Sequence, residues 1–308
     1  MNRWTRRGLL AAGTIGMTAA GFVAGVLVTT DARSPRAFPV RPIVVARARL
    51  QHWAGIGRTW PRVANDLSDD RVAPCPTDAL LVVTGGQSNA ANSISTPRDA
   101  DPAAPLFMFV DGACYLLRDP LPATTGGGGS IWSRLGPMLL TRTGRPVLFV
   151  NGAVGGSRFA DWIDPTSPYF GRLQRNVAAA ARIAGPVDLV LWHQGETDAA
   201  LHPGRQRIEA DIRAVLTRLL HELPLAPDAR VMLYRASRCI GEGRENGVAD
   251  IIAAQTAAVA IDPRVIAGPN TDRLGRRQRW DGCHFNEAGA EAVARMTMEA
   301  LPPDVAAL

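Results

Sequence analysis

The 308-residue chain contains no lysine, so all 34 of its basic residues are arginine. Because 28 residues are acidic, the formal net charge is +6 and the isoelectric point is near 9.9. The arginines are spread along the chain without an RNA- or DNA-binding motif, so we expect no nucleic-acid partner. Their densest group predicts either a solvated loop or a rim that attracts acidic substrates. That group comprises Arg273, Arg276, Arg277 and Arg279.

Two common sequence motifs of enzymes are also missing. No Gly-x-Ser-x-Gly sequence occurs, which counts against the nucleophile turn of the α/β-hydrolases. The glycine run at residues 126–129 lacks the Lys-Ser/Thr ending of a phosphate-binding loop. It therefore predicts a flexible loop and not a nucleotide site, and we expect no cofactor.

Cysteine is scarce: Cys75, Cys114, Cys239 and Cys283 are the four present, and no two form a Cys-x-x-Cys pair. No histidine stands at metal-ligand spacing beside them, so we expect no metal site. In an exported protein an even number permits two disulfides, in any of three pairings. We favour the pair Cys239 and Cys283, which would tie a strand end to the segment around Asp281. Free buried thiols are the alternative.

Charge is absent from residues 8–30, directly after three arginines near the N-terminus. Residues 1–31 are therefore predicted to be a signal peptide or an N-terminal membrane anchor. The arginine pair resembles a twin-arginine export signal, and both alternatives place the rest of the chain outside the cytoplasm. Residues 32–75 are interpreted as a linker or flap, and residues 303–308 as a tail.

After residue 76, short apolar runs alternate with helical patterns, as in βαβ units around a parallel sheet. We predict strands at residues 79–84, 147–150, 187–192, 230–234 and 265–267, and helices at 131–142, 170–183, 205–223, 248–259 and 287–301. The alternation predicts one α/β domain over residues 76–302, with helices on both faces of a five-stranded parallel sheet. A hairpin at residues 106–117, turning at Asp111-Gly112, is interpreted as an insertion at the rim.

Unusual polar segments follow four of these strands. They are Gly-Gly-Gln-Ser-Asn-Ala at residues 85–90, Asn-Gly-Ala-Val-Gly-Gly-Ser at 151–157, His-Gln-Gly-Glu-Thr-Asp at 193–198 and Asp-Gly-Cys-His at 281–284. Ligands bind at the carboxyl ends of the strands in an open parallel sheet. We therefore expect the four segments to meet at one site.

The residue types in these segments match the needs of acyl transfer, which are a nucleophile, a base, a group that orients the base and donors for an oxyanion. Ser88 is the predicted nucleophile, since it follows a strand and can begin a helix with free N–H groups. His284 is the predicted base, and Asp281, three residues earlier, can orient its imidazole. The predicted oxyanion donors are the N–H groups of Ser88 and Gly156 and the side-chain amide of Gln194.

Two further polar residues are expected to support this site. The Asn89 amide is predicted to hold the Ser88 loop, and the Glu196 carboxylate to bind loop N–H groups rather than to act as a general acid. The remaining histidines have no comparable context and are interpreted as structural or surface residues. They are His52, His193, His202 and His221, of which His193 borders the site.

Together the segments resemble the block motifs of the SGNH hydrolases, most closely those of the sialate O-acetylesterase-like branch, which includes carbohydrate acetylesterases. Residues 86–90, 155–157, 192–198 and 281–286 match its nucleophile, glycine, Gln-Gly-Glu and terminal blocks. The resemblance extends over roughly residues 76–302. It implies a flavodoxin-like three-layer α/β/α sandwich with strand order 2-1-3-4-5. It also implies a metal-independent serine esterase that removes acetyl groups from sugars.

Three functions remain open at this point. The first is an exported or anchored carbohydrate O-acetylesterase with an acetylated carbohydrate as its substrate. The second is an acyltransferase for cell-envelope glycans, or a lipid esterase, using the same residues. The third is a catalytically inactive glycan-binding module on the same scaffold, against which the intact set of predicted catalytic residues argues.

Overall fold

The computed structural model describes residues 72–201, 203–239 and 248–303. The predicted signal or anchor, most of the predicted linker, His52 and His202 lie outside these ranges. Within the described part of the chain, no helix has the length and apolar character needed to cross a membrane.

Strands and helices alternate along the described chain. The strands are β1 Val72–Ala73, β2 Leu80–Gly86, β3 Leu106–Val110, β4 Ala113–Leu116, β5 Val147–Asn151, β6 Val187–His193, β7 Leu225–Arg235 and β8 Val265–Asn270. The helices are α1 Trp132–Thr143, α2 Phe159–Ile163, α3 Tyr169–Ala184, α4 Glu196–Leu201, α5 Arg205–Glu222, α6 Ala249–Ala258 and α7 Glu287–Ala300. Two short 3₁₀ turns, Ser88–Ala90 and Arg276–Gln278, lie in the segments that carry the predicted site residues.

The five predicted strands are β2, β5, β6, β7 and β8. They lie in the order β5-β2-β6-β7-β8, and each neighbouring pair is parallel. This is the strand order 2-1-3-4-5 that the resemblance implies, so the prediction is confirmed. Because β2 lies between β5 and β6, the segments that follow these three strands meet at one edge of the sheet.

The predicted strand count is wrong, because the sheet has eight strands. The hairpin of β3 and β4 forms as predicted, with positive φ at both turn residues, Asp111 and Gly112. It is not a rim insertion, since β3 pairs in parallel with β5 and thereby extends the sheet. β1 then pairs antiparallel with β4, so residues 72–73, assigned above to the linker, belong to the sheet.

Alternating side chains of the central strand divide the core into two layers. Leu81 and Val83 pack in a cluster with apolar residues of α3, α5 and α6. Leu80 and Val82 pack in a second cluster with residues of α1 and α7. Because successive side chains of a strand point to opposite faces, a strand that is buried throughout requires helices on both sides. The three-layer α/β/α sandwich is therefore confirmed.

The glycine run at residues 126–129 is not a free loop. The N–H groups of Gly128 and Gly129 donate to the carbonyls of Asn92 and Ile94, at 2.9 Å each. The N–H of Ile94 donates in return to the Gly129 carbonyl, at 3.0 Å. The run therefore forms a bridge to the segment after Ser88, and the prediction of a flexible loop is wrong.

Two disulfides join the four cysteines. Cys239 pairs with Cys283, as predicted, and Cys75 pairs with Cys114. The first joins the chain after β7 to the segment that contains Asp281, and the second fastens the start of the domain to β4. Disulfides form and persist in oxidising compartments, so the pairing indicates an extracytoplasmic protein.

Candidate active site

Ser88 lies at the start of a short 3₁₀ turn directly beyond β2. A Cβ at Gly85 would lie 2.3 Å from the Trp192 ring, and one at Gly86, where φ is +116°, would lie 2.0 Å from the His193 carbonyl oxygen. The two glycines are thus required where β2 approaches β6. The Gln87 N–H continues this pairing by donating to the His193 carbonyl at 3.1 Å.

Ser88, His284 and Asp281 form one chain of hydrogen-bonded side chains. The Ser88 Oγ lies 2.9 Å from His284 Nε2, and His284 Nδ1 lies 2.7 Å from Asp281 Oδ2. The serine is 196 residues from the histidine in sequence, and the fold brings them together at the carboxyl edge of the sheet. The side chains of His284 and Asp281 are 24% and 29% exposed, so the chain of groups is open to a ligand from solution.

The Asp281 carboxylate also holds the backbone of its own loop. Its Oδ1 accepts the N–H groups of Cys283 and His284, at 2.8 and 2.7 Å. Burial by itself raises the pKa of Asp281, but the hydrogen bond and electrostatic attraction of the His284 side chain, with the two N–H bonds, outweigh it and lower the pKa to about 2. The carboxylate is therefore ionised at neutral pH.

Asp281, Cys283 and His284 place potential ligand atoms within 4.8 Å of one another. This group does not fit a metal ion. The Cys283 sulfur is in a disulfide with Cys239 and offers no thiolate. Asp281 Oδ2 and His284 Nδ1, the atoms that face each other, are already joined by a hydrogen bond.

The segment after β5 places Gly155 and Gly156 beside the serine. A Cβ at Gly155 would lie 3.6 Å from the Ser88 Cβ, and the Gly155 N–H donates to Thr125 Oγ1 at 2.6 Å. Gly156 has a φ of +75°, a conformation that favours glycine. Among the described residues, the N–H groups of Ser88 and Gly156 have no hydrogen-bond acceptor. Two backbone donors thus remain available, one on Ser88 itself and one on Gly156, the residue after Gly155.

Gln194 follows β6 and is completely buried. The Trp192 Nε1–H donates to Gln194 Oε1 at 3.1 Å, which fixes the plane of the amide. Its Nε2 is buried and has no partner among the described residues. A buried donor without an acceptor is costly, so an oxygen supplied by a ligand would satisfy it.

Asn89 joins the serine turn to both neighbours of His284. Its Nδ2 donates to the Cys283 carbonyl at 3.3 Å, and its Oδ1 accepts the Phe285 N–H at 3.3 Å. The same Nδ2 donates to Glu196 Oε1 at 2.8 Å. Glu196 thus binds a side-chain amide instead of the loop N–H groups that we predicted. Asn89 holds the histidine loop as well as the serine loop.

A buried layer behind these residues contains His193 and Arg279. His193 Nε2 lies 3.1 Å from Thr271 Oγ1, and burial lowers the pKa of His193, which favours a neutral ring. Arg279 is 4% exposed, so the prediction of a solvated loop or rim is wrong for this arginine. Its guanidinium donates to the carbonyls of Thr271 and Cys283, and burial lowers its pKa to about 10. Arg279 thereby fixes the loop that carries His284.

Sequence reasoning missed three more supporting side chains. Gln87 Oε1 accepts the Thr197 N–H at 3.0 Å at the start of α4, and Thr125 positions Gly155 as described above. Asp198 Oδ1 accepts the Phe159 N–H at 3.2 Å and so fastens the glycine segment to α4. Gln87 and Asp198 lie inside the polar segments and could have been found there. Thr125 lies outside them and carries no local signal.

The structure is thus an α/β/α sandwich with a serine, a histidine and an aspartate in contact at the carboxyl edge of its parallel strands, an arrangement that suits acyl transfer. Residues 81–301 match the SASA family, described as carbohydrate esterase, sialic acid-specific acetylesterase. The chain belongs to this family and is an ester hydrolase. No curated protein matches the chain in sequence.

Solved structures show the same fold at low identity. A protein from Arabidopsis thaliana is 15% identical with a TM-score of 0.54, over 71% of this chain and 96% of the other. NanS is 15% identical with a TM-score of 0.53, over 74% and 98%. A carbohydrate acetylesterase from Xanthomonas citri is 18% identical with a TM-score of 0.52, over 74% of this chain but only 56% of the other.

Proposed function

We propose that the protein is a serine esterase that removes O-acetyl or other short acyl groups from carbohydrate through an acyl-enzyme. The observation that carries this proposal is the contact of Ser88 Oγ with His284 Nε2, with His284 Nδ1 bound to the ionised Asp281. The family description supports acetylated sugars as the substrate class.

In the first half-reaction, the Ser88 Oγ attacks the carbonyl carbon of the ester while its proton moves to His284 Nε2. Asp281 keeps the other ring proton on Nδ1, so that Nε2 is free to accept. The tetrahedral intermediate collapses when the imidazolium gives its proton to the sugar oxygen. The sugar alcohol leaves, and the acetyl group remains on Ser88.

In the second half-reaction, a water molecule gives its proton to His284 Nε2 and attacks the acetyl carbonyl. The bond to Ser88 Oγ breaks, that oxygen recovers the proton, and acetate is released. In both intermediates the carbonyl oxygen carries negative charge. The Ser88 and Gly156 N–H groups and the unpartnered Gln194 Nε2 are the proposed donors to this oxygen.

Gln194→Ala is expected to lower kcat on the order of 10²- to 10³-fold, because one donor to the oxyanion is lost. The measurement is kcat for acetate release from an acetyl ester. Gln206→Ala, on the exposed surface of α5, is the matched control and should keep the wild-type kcat. An unchanged kcat in Gln194→Ala would remove this side chain from the oxyanion site.

Removing the Cys239–Cys283 disulfide by a double serine substitution is expected to lower kcat roughly 10-fold or more, because the neighbouring His284 loses its fixed position. The matched control is the double serine variant of Cys75 and Cys114. Cys75 and Cys114 are 39 residues apart in sequence, close to the 44 residues between Cys239 and Cys283. The two variants should therefore lose similar amounts of unfolding free energy. Equal kcat values in the two variants would contradict the assigned role.

The proposal is tested by acetate release from a panel of O-acetylated sugars and glycans, with wild type and Ser88→Ala compared. Release by wild type alone is expected. Transfer of acetyl to an added sugar without net acetate release would instead favour the acyltransferase. Binding of glycans without any turnover by wild type would favour the inactive binding module.

We further propose that residues 1–31 export the chain, through a signal of the twin-arginine type. The pair of disulfides supports a destination in an oxidising compartment. The segment itself lies outside the described residues, and the choice between a cleaved signal and an uncleaved anchor is decided by N-terminal sequencing of the mature protein.

A further inference from the structure

Trp280 is a large exposed aromatic side chain at the edge of the candidate active site. Its relative exposure is 53%, whereas Trp132, Trp162 and Trp192 are completely buried. In the described part of the chain, the other large exposed apolar side chain is Val72, on the edge strand β1. A single exposed apolar side chain is ordinary, but an aromatic ring in contact with a reactive histidine is placed to touch a ligand bound there.

The indole is held in place before any ligand arrives. Its Nε1–H donates to the Ser93 carbonyl at 3.1 Å, and its backbone N–H donates to the His284 carbonyl at 3.0 Å. The ring also stacks on the His284 imidazole, with centroids 5.9 Å apart and planes 25° from parallel. Ser93 lies beyond the turn of Ser88, so the indole is tied to both sides of the site. A platform fixed in this way loses little freedom on binding.

Part of the indole remains open to solution, since half of the residue is exposed while the ring stacks on the imidazole. The face of an aromatic ring carries partial negative charge and attracts groups with partial positive charge. The C–H bonds on one side of a sugar ring are polarised in that sense by their neighbouring oxygens. A pyranose can therefore pack flat on the indole while its hydroxyl groups stay in water.

A lipid chain fits the same surface less well. An alkyl chain is bound by a contiguous apolar patch or groove, which buries its length. The indole itself is held by the polar residues Ser93 and His284. A single flat aromatic ring suits one sugar ring.

We propose that Trp280 is the platform on which the sugar ring that carries the ester packs, so that the site selects O-acetylated pyranoses over acyclic acetyl esters. This inference rests on the proposed deacetylation of carbohydrate. Ser88 Oγ hydrogen-bonds to Nε2, at the edge of the imidazole on whose face the indole stacks. A sugar ring that packs on the exposed part of the indole therefore lies next to the histidine that Ser88 contacts, and we infer that its acetyl group approaches Ser88 from there.

The test compares wild type, Trp280→Leu and Trp280→Phe on an acetylated methyl pyranoside and on vinyl acetate, which has no ring. Trp280→Leu should lower kcat/KM for the pyranoside roughly 10- to 30-fold, mainly through KM, and change the vinyl acetate rate less than about 2-fold. Trp280→Phe keeps a smaller aromatic face, so its kcat/KM for the pyranoside should lie between those of wild type and Trp280→Leu. Val72→Ala is the control for loss of exposed apolar surface and should match wild type on both esters.

A second measurement separates binding from catalysis. In the Ser88→Ala background, which cannot turn over, the acetylated pyranoside should change the intrinsic tryptophan fluorescence in a saturable manner. Adding Trp280→Leu should abolish that signal, since the other described tryptophans are buried.

Equal losses on both esters in Trp280→Leu would mean that the indole only supports His284, and would overturn the inference. Unchanged rates on both esters would overturn it as well, while leaving the proposed function standing. If wild type cleaves vinyl acetate but no acetylated sugar, the proposed function itself fails, and the inference fails with it.

Discussion

Ser88→Ala is expected to lower kcat for acetyl ester hydrolysis by roughly 10⁴- to 10⁶-fold, the loss typical for a residue that acts as part of a triad. No other hydroxyl takes over, because the His284 Nε2 faces Ser88 Oγ at 2.9 Å and the proton it accepts must come from the attacking oxygen. The measurement is kcat with an activated acetyl ester, and circular dichroism verifies that the variant is folded.

Ser95→Ala is the matched control for this experiment. Ser95 carries an exposed hydroxyl seven positions further along, which hydrogen-bonds to the neighbouring Thr96 hydroxyl at 3.3 Å. This variant should keep the wild-type kcat. Wild-type activity in Ser88→Ala would show that another group is the nucleophile.

Asp281→Asn is expected to lower kcat by about 10⁴-fold, although the two side chains have the same shape. Asp281 Oδ1 accepts two backbone N–H groups, so the asparagine oxygen would be held there and its amide nitrogen would face His284 Nδ1. Nδ1 would then have to accept a hydrogen bond, and the ring proton would move to Nε2. In that tautomer the imidazole cannot take the proton of Ser88.

Two readouts test this account of Asp281. The kcat of Asp281→Asn is compared with that of Asp250→Asn, a change of the same kind on the exposed start of α6, which should be silent. Nitrogen-15 NMR of the histidine ring should show a proton on Nδ1 in the resting wild-type protein and on Nε2 in Asp281→Asn. A large loss of kcat without a change of tautomer would contradict the explanation that the wrong tautomer of His284 causes the loss. An unchanged kcat would remove Asp281 from the triad.

The parts of the fold that the sequence predicted are those encoded by continuous local patterns. Each central strand is a short apolar run, and each main helix has its own period, so the five strands could be stated in advance from local patterns, whereas their order followed only from the family resemblance. The extension of the sheet by β3, β4 and β1 could not be predicted from such patterns. The Asp111-Gly112 turn predicts a hairpin, but it does not predict which strand of the sheet the hairpin pairs with. The pairing of β3 with β5 is set by tertiary packing.

The same division holds for the candidate site. Ser88, Asp281, His284, Gly156 and Gln194 stand in polar segments at strand ends, and the topology of the sheet is enough to bring such segments together. Arg279 belongs to a run of arginines that indicates solvent exposure. Its burial depends on the carbonyls of Thr271, Leu274 and Cys283, which only the folded loop brings to one place. The platform at Trp280 was missed for the same reason, because exposure is a property of the fold.

The central claim is that Ser88 is the nucleophile of an acyl transfer. It is tested most directly by treating the active protein with a fluorophosphonate, which reacts with activated serines, and locating the adduct by peptide mass spectrometry. The account predicts one phosphonyl group per chain, attached to Ser88, with loss of hydrolysis in proportion to labelling and no adduct in Ser88→Ala. Inactivation with the group on a different residue, or the same labelling in Ser88→Ala, would contradict it.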